Sequence, residues 1–399
     1  MLTIRSILII TSLLISSSID AHESAETLPT TQVTAKVAIS YRNESLVEPG
    51  EAWLIPGMNL GGEALPVEKG FSLDDAQILA DYRVEDNYAI SAKFSAHGHH
   101  ESIELELENL WFTWLVEPVS ENLLIEVGIL RTEITDTAYY HASESEFSEA
   151  PLLSDAFFGR HFNDTGIKAK WQKPLFSIGA EVWSGSSWPA SGDEGGLSGF
   201  IKFHPNWQGF HIDSSFWAMA MNVENRNDDR YGSDHSHGGL TVTSPAANIF
   251  FTGDTLGLGT NIDVGYQAET WQIYAQAEWI QFEHDGDLFD SSGQNSALDS
   301  TYEGLRYLLG LEWHNHLIAV QTETLTLENV FFDSVNVLFL EQSGLLNNGF
   351  DPAKHSVSWQ WSFAEDFKLR TEWIIDESYI EDNTGHFSIG LVWSRGLFN

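Results

Sequence analysis

The chain contains no cysteine, so it has no disulfide framework and no thiolate metal site, and it suits an oxidising compartment. Cations are scarce: 19 Lys and Arg stand against 58 Asp and Glu, a formal net charge of -39 over 399 residues. That balance repels nucleic acid and draws cations to the surface, so DNA and RNA are set aside as partners. After the N-terminal segment, no stretch reaches the run of about 18 apolar residues that a membrane helix needs. There is also no Gly-x-Ser-x-Gly elbow, no phosphate-cradling glycine loop and no His-Glu-x-x-His helix, so no motif marks an enzyme.

What is present begins with an export signature. Residues 1–21 combine Arg5, an apolar core from Ile7 to Ile15 and a small-residue exit ending at Ala21, which predicts a cleaved signal and a mature chain of residues 22–399. Beyond it, period-two alternation recurs. In the segment Trp271 to Trp279 the odd positions are apolar and the even ones mostly polar; Val357, Trp359, Trp361 and Phe363 alternate with serines and Gln360. One face fits lipid and the other fits water.

Turns placed between such runs predict about sixteen strands, near 33–42, 73–84, 88–96, 102–116, 122–131, 164–172, 175–185, 196–204, 209–221, 256–268, 271–284, 302–314, 316–328, 355–364, 367–376 and 386–398. Short connections alternate with long ones near 43–72, 132–163, 222–255, 285–301 and 329–354. Short periplasmic turns, long external loops and an even strand count define an all-β, antiparallel transmembrane barrel. Aromatic residues gather at the strand ends, among them Trp111, Trp114, Trp183, Trp271 and Trp313, as expected at a membrane–water interface.

Several stretches resemble a family of porin-like outer-membrane proteins of Gram-negative bacteria, distantly similar to the phosphate-selective porins. They are Pro56 to Glu63, Gly70 to Leu73, Ile125 to Arg131, Ala150 to Gly159, and Asp164 to Ile167 followed by Gly179 to Trp183. The resemblance spans roughly residues 50–205 and implies fold and outer-membrane location. Phosphate selectivity would require rows of Lys and Arg along the pore, which this chain lacks, so phosphate is rejected as the solute. Porin trimers imply a homotrimer, with outer-membrane lipid and lipopolysaccharide around it.

Three groups could carry function. Glu104, Glu106 and Glu108 alternate with Ile103, Leu105 and Leu107, which predicts a charged pore wall. His97, His99 and His100 form one histidine group; Asp234, His235 and His237, with Asp228 and Asp229 nearby, form another. Both are expected in external loops, where imidazole and carboxylate suit a divalent metal, zinc or calcium; loop histidines are also common turn filler. Residues 132–163 form a loop that either folds into the lumen and sets selectivity or caps the mouth. The expected function is a channel for small solutes, cation-preferring and serving divalent-metal uptake, with no required cofactor. A surface adhesin or ligand-binding barrel and an outer-membrane hydrolase remain as alternatives.

Overall fold

The computed structural model describes residues 28–48, 51–99, 102–116, 122–231, 244–332, 336–347, 349–379 and 385–398, with the side chains of 99 and 102–104 outside the description. The expected signal, residues 1–21, lies outside the described residues. The strands are β1 (Gln32–Arg42), β2 (Gly70–Glu85), β3 (Tyr88–His99), β4 (Ser102–Leu115), β5 (Leu123–Arg131), β6 (Asn163–Lys173), β7 (Phe176–Trp183), β8 (Gly196–Phe203) and β9 (Asn206–Trp207). They continue as β10 (Phe210–Arg226), β11 (Ile249–Gln267), β12 (Trp271–Asp290), β13 (Asn295–Trp313), β14 (His316–Phe331), β15 (Ala353–Ala364), β16 (Phe367–Glu377) and β17 (His386–Phe398). Two short helices, α1 (Leu152–Phe158) and α2 (Val337–Ser343), lie in connections.

Each strand pairs antiparallel with its neighbours, and β1 pairs with both β2 and β17, so the sheet closes on itself. β8 and the two-residue β9 both pair with β10 and form one bent stave. The barrel therefore has sixteen staves, as the alternation predicts. Closure leaves no edge of unpaired backbone groups, which a bilayer would penalise. Among the described residues no helix is long and apolar enough to cross a membrane; the strands do the crossing.

The outer surface carries the expected apolar face. Ile273, Leu309, Leu311, Ile318, Val320, Val357, Trp359 and Trp361 are all exposed. At the end with the short turns, aromatic rings follow one another around the wall: Trp207–Phe210, Phe210–Tyr266 and Tyr266–Trp271 have centroids 6.4, 4.6 and 5.6 Å apart. This is the interfacial girdle of a membrane barrel. Trp183 departs from the expectation: it faces inward and is buried at 3% exposure.

The staves on the external side are longer than the sequence suggests. A strand crosses a bilayer in about 9–11 residues, yet β12 runs for 20 and β13 for 19. The predicted loop 285–301 is mostly hairpin. At that end Phe251, Leu288 and Leu298 pack with Phe339 of α2.

The lumen is filled rather than open throughout. Residues 43–48 and 51–69, and the 132–162 loop with α1, fold into it. Trp53, Ile55, Met58 and Leu60 from the first segment, and Leu152, Leu153, Phe157 and Phe158 from the second, join inward-facing Trp217, Met219, Met221, Ile280, Phe282, Tyr302, Leu325 and Leu327 in one buried cluster. The wall from β7 to β14 thus meets an apolar core.

Candidate functional site

The opposite wall, β1 to β6 with β15 to β17, meets the same loop through charge. Side chains of both walls hold the loop's backbone. Arg370 Nη1 donates to the carbonyls of Ala142 at 2.7 Å, Ser145 at 3.2 Å and Phe147 at 3.0 Å. Glu372 accepts from the Ser148 N–H at 2.7 Å. Glu181 on β7 accepts the Thr132 hydroxyl and the Glu133 N–H, and Glu278 on β12 accepts both Thr135 and Thr137 hydroxyls. Glu323 on β14 accepts the N–H groups of Leu152 and Leu153 at 2.9 and 3.2 Å; these first-turn donors of α1 have no partner within the helix. Buried backbone groups need such partners, and the wall carboxylates provide them.

Glu149 is the tightest of these anchors. Its carboxylate lies 2.6 Å from His386 Nε2, 3.1 Å from Arg42 Nε and 3.4 Å from Lys354 Nζ. Burial pushes its pKa up, but His386, Lys354 and Arg42 outweigh that and hold it well below the usual carboxylate range.

Two cavities flank the loop. The outer, about 910 Å³, is lined by eight carboxylates (Glu44, Glu48, Glu51, Glu63, Glu68, Asp74, Asp75 and Glu149) against three cations, Arg42, Lys69 and Arg160. The inner, about 500 Å³, reaches the short-turn residues Lys173 and Pro174 and is lined by Arg131, Lys170, Lys173 and Lys202 with Glu133, Asp136 and Glu144. Tyr140 and His141 line the outer cavity, while Tyr139 and Glu144 line the inner. The segment 139–144 is the partition between them.

A histidine–carboxylate cluster sits at this partition. β3 runs on to His99, so His97 lies on the barrel wall and not in an external loop, which corrects the expectation from sequence. Its ring is 6.0 Å from His141 and 5.8 Å from His161, and those two stack at 4.6 Å. His141 is sandwiched between Asp75 (Nδ1 to Oδ2, 3.2 Å) and Glu108 (Nε2 to Oε1, 3.0 Å). His161 pairs with Glu63 at 3.0 Å and with the Tyr140 carbonyl. Burial lowers the His161 pKa, but the Glu63 charge and hydrogen bond more than offset it, leaving the group above its usual value.

Two backbone features set this geometry. Gly62 and Gly159 both have positive φ, and a Cβ on Gly62 would stand 2.8 Å from the Gly159 carbonyl. Their close approach lets the Glu63 N–H donate to Gly159 at 2.9 Å and delivers Glu63 to His161. In β4 the pairing shifts from Lys93↔Asn109 to Phe94↔Leu107, a bulge that turns Glu108 and Asn109 both inward and buried. Lys93 is then 3.7 Å from Glu108 Oε2 and 2.6 Å from the Tyr139 hydroxyl.

The other predicted residues divide. Glu106, half-buried, accepts from Ser95 at 3.1 Å and lies 3.8 Å from His97. The Glu104 and His99 side chains, and His100, Asp234, His235 and His237, lie outside the described residues. Asp228 is buried in a double hydrogen bond with Arg230, and Asp229 accepts the Gly62 N–H; both hold the inner loops together. The wall is not purely acidic as expected: Arg42, Lys93, Lys168, Lys170, Lys354 and Arg370 are buried in it. Glu63, Asp75 and Tyr139 are the site residues that alternation could not reveal.

No protein-family model matches the sequence, and no curated protein sequence matches it either. Solved structures do. The chain is similar to OprB of Pseudomonas putida in its high-pH structure, at 9% identity over 92% of this chain and 94% of that one, with a TM-score of 0.54. It is similar to OmpT of Vibrio cholerae lacking loop L8, an outer membrane protein, at 11% identity over 92% and 99%, TM-score 0.52. It is also similar to the outer membrane channel DcaP of Acinetobacter baumannii, at 9% identity over 92% and 96%, TM-score 0.51. At these identities the likeness is one of fold. With the closed sheet, apolar outer face and aromatic girdle, it makes the chain a membrane-spanning β-barrel of the fold that these outer-membrane proteins share.

Proposed function

Starting from a porin-like outer-membrane barrel, we propose that the chain is a passive channel for small solutes with a preference for cations. The observation that carries this is the partition: one segment of the internal loop, 139–144, separates an acidic outer cavity from a cationic inner one. An acidic vestibule with low-dielectric walls focuses cations, and weak, successive sites let them leave again. Glu106 and Glu108 stand beside that partition, Glu106 half-buried and Glu108 against His141. As in porin assemblies, the working unit is a homotrimer.

Single-channel recording in planar bilayers with a salt gradient tests the reading. Wild type should show a cation-side reversal potential, and Glu106→Gln with Glu108→Gln should move it toward zero. An anion-side potential, or no conductance at all, would overturn it.

A further inference from the structure

Beside the outer cavity, histidines and carboxylates of the loop and the wall converge on one point. We propose that Glu108, His141 and His161 form a site for a divalent first-row transition metal, zinc in class, and that Glu63, His97 and Glu106 are the outer donors through which the ion arrives. The inference deepens the channel reading by naming its cargo, and rests on that reading only for the ion's onward passage.

One donor atom from each of Glu108, His141 and His161 lies within 4.8 Å of the others, and the same holds for Glu63, His97 and Glu106. The inner triad is buried: the side chains of His141, His161 and Glu108 are 0%, 2% and 2% exposed. Zinc takes such nitrogen and oxygen donors at about 2.0–2.2 Å, a contraction that side-chain rotation can supply. The outer triad is only half-buried and opens onto the cavity.

A neutral imidazole has one N–H and His141 faces a carboxylate from each nitrogen, so the Glu108 side of the ring calls for a second positive species, a proton or a metal ion. The Glu108 Oε2 is buried and makes no hydrogen bond among the described residues, with the Lys93 ammonium 3.7 Å away. A carboxylate oxygen so placed is costly unless a ligand engages it. Charge points the same way, since Glu63, Asp75, Glu106 and Glu108 meet one ammonium, Lys93. A divalent cation neutralises that excess, and imidazole donors favour zinc-class ions over calcium. Asp75 against His141 and Glu63 against His161 are the carboxylate–imidazole contacts that orient metal-bound histidines elsewhere.

The test is isothermal titration of the folded full chain in detergent with zinc chloride, joined to the visible absorption of cobalt(II) as a stand-in. Wild type should bind zinc saturably and give cobalt bands of nitrogen–oxygen ligation. His141→Gln with His161→Gln should weaken zinc binding at least tenfold and abolish the bands. If that variant does not fold, His97→Gln on the half-open set should still weaken binding severalfold. His235→Ala with His237→Ala should leave the isotherm unchanged. Zinc binding that is absent in wild type, survives in the lumen variants, or is lost in the 235/237 variant overturns the site. Conductance in zinc-free buffer is read separately: its absence sinks the channel reading and leaves the titration result standing.

Discussion

The two sides of the lumen hold the same loop with different balances of packing and charge. Against β7 to β14, three carboxylates, Glu181, Glu278 and Glu323, accept hydrogen bonds from it. There, however, Phe157, Phe158 and Leu153 of the loop also insert among Ile280, Phe282 and Leu325, a core whose attraction is non-directional and proportional to area. Against β1 to β6 and β15 to β17, the grip is directional, through Arg370, Glu372, Glu149 and their partners. An apolar core tolerates small losses by collapsing; a buried ion cluster does not, because removing one partner strands the others. The apolar side therefore fixes where the loop lies, and the charged side fixes which atoms face the passage.

The largest effect should come from breaking the charged side at Glu149. Glu149→Ala leaves Arg42, Lys354 and His386 buried without their shared carboxylate, at a cost of about 3–5 kcal/mol. Thermal unfolding in detergent should shift downward, and single-channel conductance should rise as the loop loosens. Because the Glu149 pKa is depressed in the fold, its contribution is fully present above the ordinary glutamate value of about 4.3 and is lost only as pH falls through the lower, folded value. The Glu149 anchor should thus hold at pH 5, and the unfolding difference between wild type and Glu149→Ala should shrink only in stronger acid.

On the apolar side, Leu325→Ala should cost about 2–5 kcal/mol in the same unfolding measurement while leaving the reversal potential unchanged. A shifted reversal potential would show that the apolar side also shapes the passage. The smallest effect should be that of Ile280→Val, about 0.5–1.5 kcal/mol, visible as a slight fall in unfolding temperature with wild-type conductance.

Much of the barrel was legible because the bilayer writes on the sequence. Each of the sixteen expected segments falls on a stave, since lipid demands apolar residues at every second position. Where the staves leave the membrane that demand ends: Asp285 to Asp290 pair with β11 residues, but their only apolar residues, Leu288 and Phe289, are adjacent and face opposite sides, so no alternation shows and they read as loop. The lumen core had a visible signal. Phe216-Trp217-Ala218-Met219-Ala220-Met221 is apolar on both faces, the mark of a strand buried on both sides, and Trp217, Met219 and Met221 are its inward half.

The site was less legible. His97 reads as loop because alternation fades near residue 96, although pairing continues to His99↔Ser102. His141 and His161 are twenty residues apart and meet only because Tyr139 bridges back to His161. The bulge at Glu108 leaves no local trace, and no sequence pattern shows that Glu63 and Asp75 reach this cluster.

Glu149 also bears on how the ring is made. Arg42 belongs to the first stave and His386 to the last, neighbours at the seam where β1 meets β17, and both reach the same carboxylate from the middle of the chain. Bringing such distant termini together costs entropy that grows only slowly with the length enclosed, but it must be met by contacts in place as the seam zips. In the closed barrel the loop's Glu149 meets both termini at once and ties them from within. Once the last row of hydrogen bonds has formed, the loop is captive, and the barrel is latched from the inside.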